Sequence, residues 1–187
     1  MRQDQLPALL SMALAPKRPP RALKARLLAV LAQPPVVLKH SEGRVSLEDG
    51  VVTTGPGAWA ELRIKGQALI AVKENSLATI RRGAQGLELL LERGAALVNV
   101  IKGVPFSSTL PLGLVRVKGT WFYVESRGPK ESYLCLCEGR IDLFANGLKK
   151  VIKSEDHVAM TVSLKRGVPF LSPAPADHWH PDVEDAS

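Results

Sequence analysis

Aromatic residues are scarce. Phe, Trp and Tyr make up 5% of the 187 residues, so any core must be built mainly from Leu, Val, Ile and Ala. Cysteine occurs only as Cys135 and Cys137, which excludes a disulfide framework. No run reaches about 18 apolar residues, the minimum for a spanning helix, so a transmembrane protein is not expected. Catalytic signatures are missing as well: there is no Gly-x-Ser-x-Gly elbow, no His-Glu-x-x-His helix and no phosphate-cradling Gly-x-x-x-x-Gly-Lys loop. The four histidines (His40, His157, His178, His180) fall at linkers, at a strand start and in the tail. Glu125, Glu131 and Glu138 lie near turns, where carboxylates are ordinarily solvated. Neither an enzyme nor a cofactor is expected.

What is present suits one globular domain with appendages. Hydrophobic residues make up 45% and charged residues 23%, close to the globular average. The net charge of +7 is unevenly placed. Arg2, Lys17, Arg18, Arg21, Lys24, Arg26 and Lys39 stand against Asp4 alone in the first forty residues, whereas the tail from Ser172 carries Asp177, Asp182, Glu184 and Asp185 without a single Lys or Arg. Between them the two signs mix, as on a solvated surface. Nucleic-acid binding calls for basic groups gathered on one face with stacking aromatics, so it is not expected.

The two cysteines stand at i and i+2 of an alternating run, where strand side chains point the same way without converging for a bridge. A zinc site would need further ligands. The candidates His178, His180 and Asp182 lie far along a tail rich in Pro, Ala and acid, so reduced bystander thiols and no metal are expected.

Leu6 to Ala15 is a short apolar run ending in Ala13-Leu14-Ala15, the small-x-small form of a secretory cleavage site. Asp4 cancels Arg2, Pro7 interrupts the run and Pro16 would follow the cut, so the chain as written reads as cytoplasmic, with the periplasm as the alternative. Pro19-Pro20 then opens, and Gln33-Pro34-Pro35 closes, a helical pattern of about three turns. Leu23, Leu27, Val30 and Leu31 share its apolar face. A helix this short must dock on something, either its own domain or the groove of a partner, which makes those four residues candidate partner contacts.

From Gly43 the periodicity changes to two and persists to about Val162. Glu61 to Lys65 alternates strictly, and Ala68, Ile70 and Val72 continue an apolar face although Leu69 and Ala71 between them are apolar too. Similar runs begin at Leu87, Ala96, Leu114, Trp121, Tyr133, Ile141 and His157. Turn signals separate them, among them Arg93-Gly94, Glu138-Gly139 and Asn146-Gly147, the last the strongest hairpin signal. Short strands at such spacing predict an all-β domain, as a solenoid-like stack or a sandwich, with one or two short helices ahead of it. Val115, Val117, Phe122 and Val124 supply one inward face, and Leu134, Leu136, Ile141 and Leu143 another, with the cysteines on the opposite side. The expected divisions are a helical extension over 1–39, the β domain over 40–164 and a tail over 165–187.

Two resemblances follow. The segment Pro19-Pro20-Arg-Ala-Leu-Lys-Ala-Arg-Leu-Leu-Ala29 resembles the linker after the sigma-binding domain of bacterial anti-sigma factors, without the His-x-x-x-Cys-x-x-Cys that many of them carry. The ordered series Val52-Thr-Thr-Gly-Pro-Gly-Ala-Trp-Ala-Glu-Leu62, Ile64-Lys-Gly-Gln-Ala-Leu-Ile70, Glu74-Asn-Ser76, Leu89-Leu-Leu-Glu-Arg-Gly-Ala95, Phe106-Ser-Ser-Thr-Leu-Pro111, Val115-Arg-Val-Lys-Gly-Thr-Trp-Phe-Tyr-Val124 and Leu134-Cys-Leu-Cys-Glu-Gly-Arg-Ile-Asp-Leu143 is similar to the FecR domain, the sensor-regulator module named for ferric dicitrate signalling. This likeness spans roughly residues 40 to 163. It implies an all-β fold and a non-enzymatic regulatory or sensor role through protein contact in anti-sigma-type signal transduction, the partner being a sigma factor or an envelope protein. Typical members add a membrane span and a receptor-contacting C-terminal domain, neither of which is evident here, so the implication for iron transport does not carry over. The alternative is an envelope-associated structural or glycan-binding β module with no sigma factor.

Overall fold

The computed structural model describes residues 35–145, 147–154, 157–165, 168–179 and 181. The basic helical segment and its four candidate contacts, Leu23, Leu27, Val30 and Leu31, lie outside the described residues. Everything described belongs to one compact unit that begins at Pro35.

That unit is all-β, as the alternation predicts. Its strands are β1 (Val36–Glu42), β2 (Val45–Glu48), β3 (Val51–Thr54), β4 (Trp59–Ile64), β5 (Ala68–Val72), β6 (Leu77–Gly83), β7 (Gly86–Val100), β8 (Pro105–Leu110), β9 (Gly113–Lys118), β10 (Trp121–Ser126), β11 (Glu131–Ala145), β12 (Leu148–Ser154), β13 (Val158–Lys165) and β14 (Val168–Ala174). Strand β1 thus starts before the expected boundary at residue 40, and β14 makes a strand of what reads as tail. Pairing defines two sheets. The first runs β1-β4-β5-β7-β10-β11-β13-β14 and the second β2-β3-β6-β7-β8-β9-β11-β12. All neighbours are antiparallel except β7 and β8.

Strands β7 and β11 belong to both sheets. Up to Arg93, β7 pairs in the second sheet, and from Gly94 onward it pairs in the first. In β11 the order is reversed, with Glu138 opposite Trp121 in the first sheet and Gly139 opposite Ser154 in the second. Gly94 and Gly139 both hold positive φ. Arg93-Gly94 and Glu138-Gly139, which read in the sequence as turns between strands, are instead bends within strands: a left-handed glycine redirects a strand as readily as it reverses one, and at both positions it bends the chain from sheet to sheet. Each bend is held by a hydroxyl. The Ser76 Oγ accepts the Ala95 N–H at 3.0 Å, and the Thr120 Oγ1 donates to the Arg140 carbonyl at 3.1 Å.

Because both long strands cross over, β7, β8, β9, β11 and β10 close into a five-stranded ring. Closure removes free edges from that part of the sheet, and it distinguishes the fold from a solenoid, in which each repeat meets only its neighbours. Inside lie Leu89, Val98, Val115, Val117, Phe122, Val124, Leu134, Leu136, Ile141 and Leu143, all buried, as the alternation predicts. The Phe106 and Phe122 rings meet edge to face across this core, with centroids 6.0 Å apart. The Asn146-Gly147 signal corresponds to a real hairpin: Ala145 pairs with Leu148 and Gly147 has φ +83°.

Candidate functional site

The central strands of the first sheet are buried on both faces. All five residues of β5 are buried, as are Ser132 to Cys137 in β11 and Ala95 to Val98 in β7. One face of these strands feeds the main core. The other gathers Ala71, Ala95, Leu97, Tyr123, Tyr133, Cys135, Cys137 and Ala159 into a second cluster, against which Ala174 and Trp179 pack. The unbroken apolar run around Leu69 and Ala71 is therefore a strand covered on both sides. What covers the outer face is the chain beyond β14.

That segment is fastened by side chains of the sheet. Tyr133 donates its hydroxyl hydrogen to the Pro175 carbonyl at 2.8 Å, with the Asp177 carbonyl 3.4 Å away. The Arg127 guanidinium lies over the other part of the Tyr133 ring, 4.4 Å from its centre. The Trp179 ring meets Trp59 edge to face at 6.1 Å. The His178 ring stacks on Tyr123 at 4.9 Å, the two planes 30° apart.

His178 is thereby delivered to the cysteines. Its Nε2 lies 3.4 Å from the Cys137 Sγ. The antiparallel register of β11 and β13 pairs Cys135 with Ala159 and Leu136 with Val158, so His157, one residue further, comes alongside the same thiols. The His157 Nδ1 is 3.9 Å from the Cys135 Sγ. One ligand-capable atom from each of Cys135, Cys137, His157 and His178 lies within 4.8 Å of the other three. Both cysteines are unbridged and buried, His178 is half-buried and His157 exposed.

The electrostatics of the cluster follow from this crowding. The Cys137 thiol and both imidazoles hydrogen-bond to the Cys135 sulfur and hold it down to about 4, against the opposing effect of burial. Cys137, facing that sulfur, is pushed up by it and by burial. The pair thus keeps one proton between them. Burial and the nearby negative Cys135 sulfur push Tyr133 up to about 12, with Arg127 opposing.

This assembly is what the sequence reading misses. The reading expects no metal ligands and leaves His178 remote from Cys135 and Cys137, yet the tail folds back over the sheet and brings His178 into contact. His157, read only as a strand start, is the fourth member. His180 and Asp182 lie outside the described residues. The legible signal was the two-sided burial of Tyr133 to Cys137, which requires a covering layer. Of the three glutamates near turns, Glu125 and Glu131 do meet, through Arg127 at 3.0 and 3.4 Å, as a surface ion pair network. Two open clefts, one between Arg44, Thr53, Asn75 and Arg93 and one between Arg81, Glu88, Ser107 and Arg116, share no residue with the cysteine cluster.

The fold has solved counterparts. Two crystal structures of a candidate anti-sigma factor from Parabacteroides distasonis ATCC 8503, at 1.65 and 2.50 Å resolution, superpose with TM-scores of 0.55 and 0.58 at 14% and 13% identity. Each match covers 67% of this chain and 60% of the other, so the chain spans under two thirds of the length of those proteins. At such identity the likeness establishes a common fold. No family model and no curated protein sequence matches the chain.

Proposed function

We propose that the chain is a non-enzymatic regulatory module of the FecR type that acts by protein contact in anti-sigma-type signalling. The observation that carries this reading is that two likenesses, one in sequence motifs and one in fold, point to the same kind of protein. The ordered motifs that resemble the FecR domain span the β unit, and that unit shares its fold with structures described as a candidate anti-sigma factor. The residues of those motifs also do the architectural work. Gly119-Thr120 precedes β10 and ties down the β11 bend, Phe122 and Val124 fill the ring, and Ser76 secures the β7 bend. Among the described residues no helix is long and apolar enough to cross a membrane.

In this reading the β unit receives a signal while the basic segment with Leu23, Leu27, Val30 and Leu31 contributes to holding a sigma factor. The test is co-purification of the full chain with individually expressed alternative sigma factors of the same organism, beside the full-length double variant Leu23→Glu, Leu27→Glu. Capture of one sigma factor by the native chain, weakened at least about tenfold in the variant by charge placed on an apolar contact, is the expected result. Capture of none by a folded native chain overturns the reading.

A further inference from the structure

Four side chains of the types that bind zinc, two thiols and two imidazoles, meet at one point on the outer face of the first sheet. We propose that Cys135, Cys137, His157 and His178 bind a single zinc ion, or another borderline-soft divalent ion of tetrahedral preference, and that this ion clips the C-terminal segment onto the sheet. The inference is independent of which partner the module contacts.

Distance comes first. With metal–sulfur bonds of ~2.3 Å and metal–nitrogen bonds of ~2.0–2.1 Å, a tetrahedral ion sets its ligand atoms about 3.3–3.8 Å apart. The Cys137 to His178 separation is 3.4 Å, the Cys135 to His157 separation 3.9 Å, and no pair among the four exceeds 4.8 Å. Closing this set around an ion asks for shifts of an ångström or less. The donor set is complete at four, as in structural zinc sites, and its sulfur and imidazole atoms favour zinc over calcium or magnesium, which take oxygen. A two-iron cluster with mixed ligands would hold the cysteines on one iron and the histidines on the other, spreading the four atoms wider than they are.

The origin of each ligand is the second argument. Cys135 and Cys137 project from one face of β11, His157 stands just ahead of β13 and His178 arrives on the segment after β14. One ion would tie three stretches of chain together, which is how a structural metal adds to folding free energy. Surrounding groups already orient the set: Tyr123 stacks on His178 and the Tyr133 hydroxyl holds the backbone at Pro175. A nucleophilic role for the thiol is disfavoured by access, because Cys135 is 0% exposed and Cys137 6%. Binding leaves redox states unchanged: each cysteine donates a thiolate electron pair to the ion, and the proton shared by the pair passes to solvent.

The experiment uses the full chain, stripped with a chelator and re-equilibrated with zinc or cobalt. One zinc per chain by elemental analysis, together with the absorption of tetrahedral cobalt and its thiolate charge-transfer bands, is expected. His178→Gln and Cys137→Ser should each weaken zinc binding by about 100-fold or more while the circular dichroism spectrum stays that of a β protein. Because His178 is only half-buried, its replacement leaves the core intact and keeps the test valid even where Cys137→Ser misfolds. Zinc should also slow amide exchange over residues 168–179. A folded native chain that takes up no zinc, or a His178→Gln chain that binds it as tightly as the native one, overturns the proposal. So does octahedral cobalt without thiolate bands.

Discussion

Gly94 and Gly139 occupy the same place in two strands of equal length. Each is the ninth residue of a fifteen-residue strand, each has positive φ, +81° and +102°, and each marks the change from one sheet to the other. Their surroundings differ. A Cβ on Gly94 would come within 2.6 Å of the Ser76 Cα, whereas one on Gly139 would meet the Gly119 carbonyl and Thr120 Oγ1 at 3.2 Å. The backbone penalty of about 1–2 kcal/mol for a left-handed alanine applies to both, and the steric penalty falls mainly on the first. Gly94→Ala should therefore cost about 3 kcal/mol and Gly139→Ala about 1–2 kcal/mol, read from urea midpoints. Equal losses would show that the bends are equally roomy.

Removal of the Tyr133 hydroxyl should loosen the segment beyond β14 and little else. Tyr133→Phe keeps the ring under Arg127 and against Tyr123 but deletes the bond to the Pro175 carbonyl. A loss of about 1 kcal/mol is expected, with faster amide exchange confined to residues 170–179. Faster exchange throughout β11 would indicate that the hydroxyl supports the sheet itself.

In the metal-free chain Cys135 should be ionised at neutral pH and yet slow to react. Its folded value of about 4 lies below the ordinary thiol value of 9.0, so the thiolate contributes stability that is present above the ordinary value and lost as pH falls through the folded one. Cys137 is shifted the other way and works against stability above the ordinary thiol range. Thiolate absorbance should persist on acidification until about pH 4. Alkylation by iodoacetamide at pH 7 should be slow, since both sulfurs lie under the covering segment, and should quicken in Tyr133→Phe. Loss of thiolate absorbance near pH 8 would contradict the assignment of the shared proton.

Ser108 offers a substitution that should stabilise. Its side chain is fully buried in β8, and its Oγ has no hydrogen-bond partner among the described residues. A buried hydroxyl without a partner costs free energy that a methyl group does not. Ser108→Ala should raise stability by about 1 kcal/mol in the same urea assay, and a loss of that size would reveal a bound water serving the hydroxyl.

The inward faces were legible because they obey one local rule. Val115, Val117, Phe122 and Val124 alternate with exposed or outward residues, and alternation is a property of the strand alone. Gly94 and Gly139 were legible as sites of positive φ but not as bends, because the same torsion serves a reversal and a change of sheet, and only the pairing partners decide between them. The cysteine and histidine cluster was hidden for a related reason. Twenty and more residues separate Cys137 from His157 and His157 from His178, and their meeting depends on the register of β13 and on the path of the chain after β14. The sequence did hold one unused clue. Tyr133, Cys135 and Cys137 share a face too apolar to meet water, and a sheet with two dry faces needs something on each.

Among the described residues strand β12 pairs with β11 alone and so ends the second sheet. An unpaired ladder of this kind invites another chain to extend it, and its Leu148 and Val151 are exposed. Lys149, Lys150 and Lys153 stand exposed on the same strand. A second molecule docking edge to edge would have to bring its own lysines against these, so the repulsion guards against open-ended fibre growth from this margin.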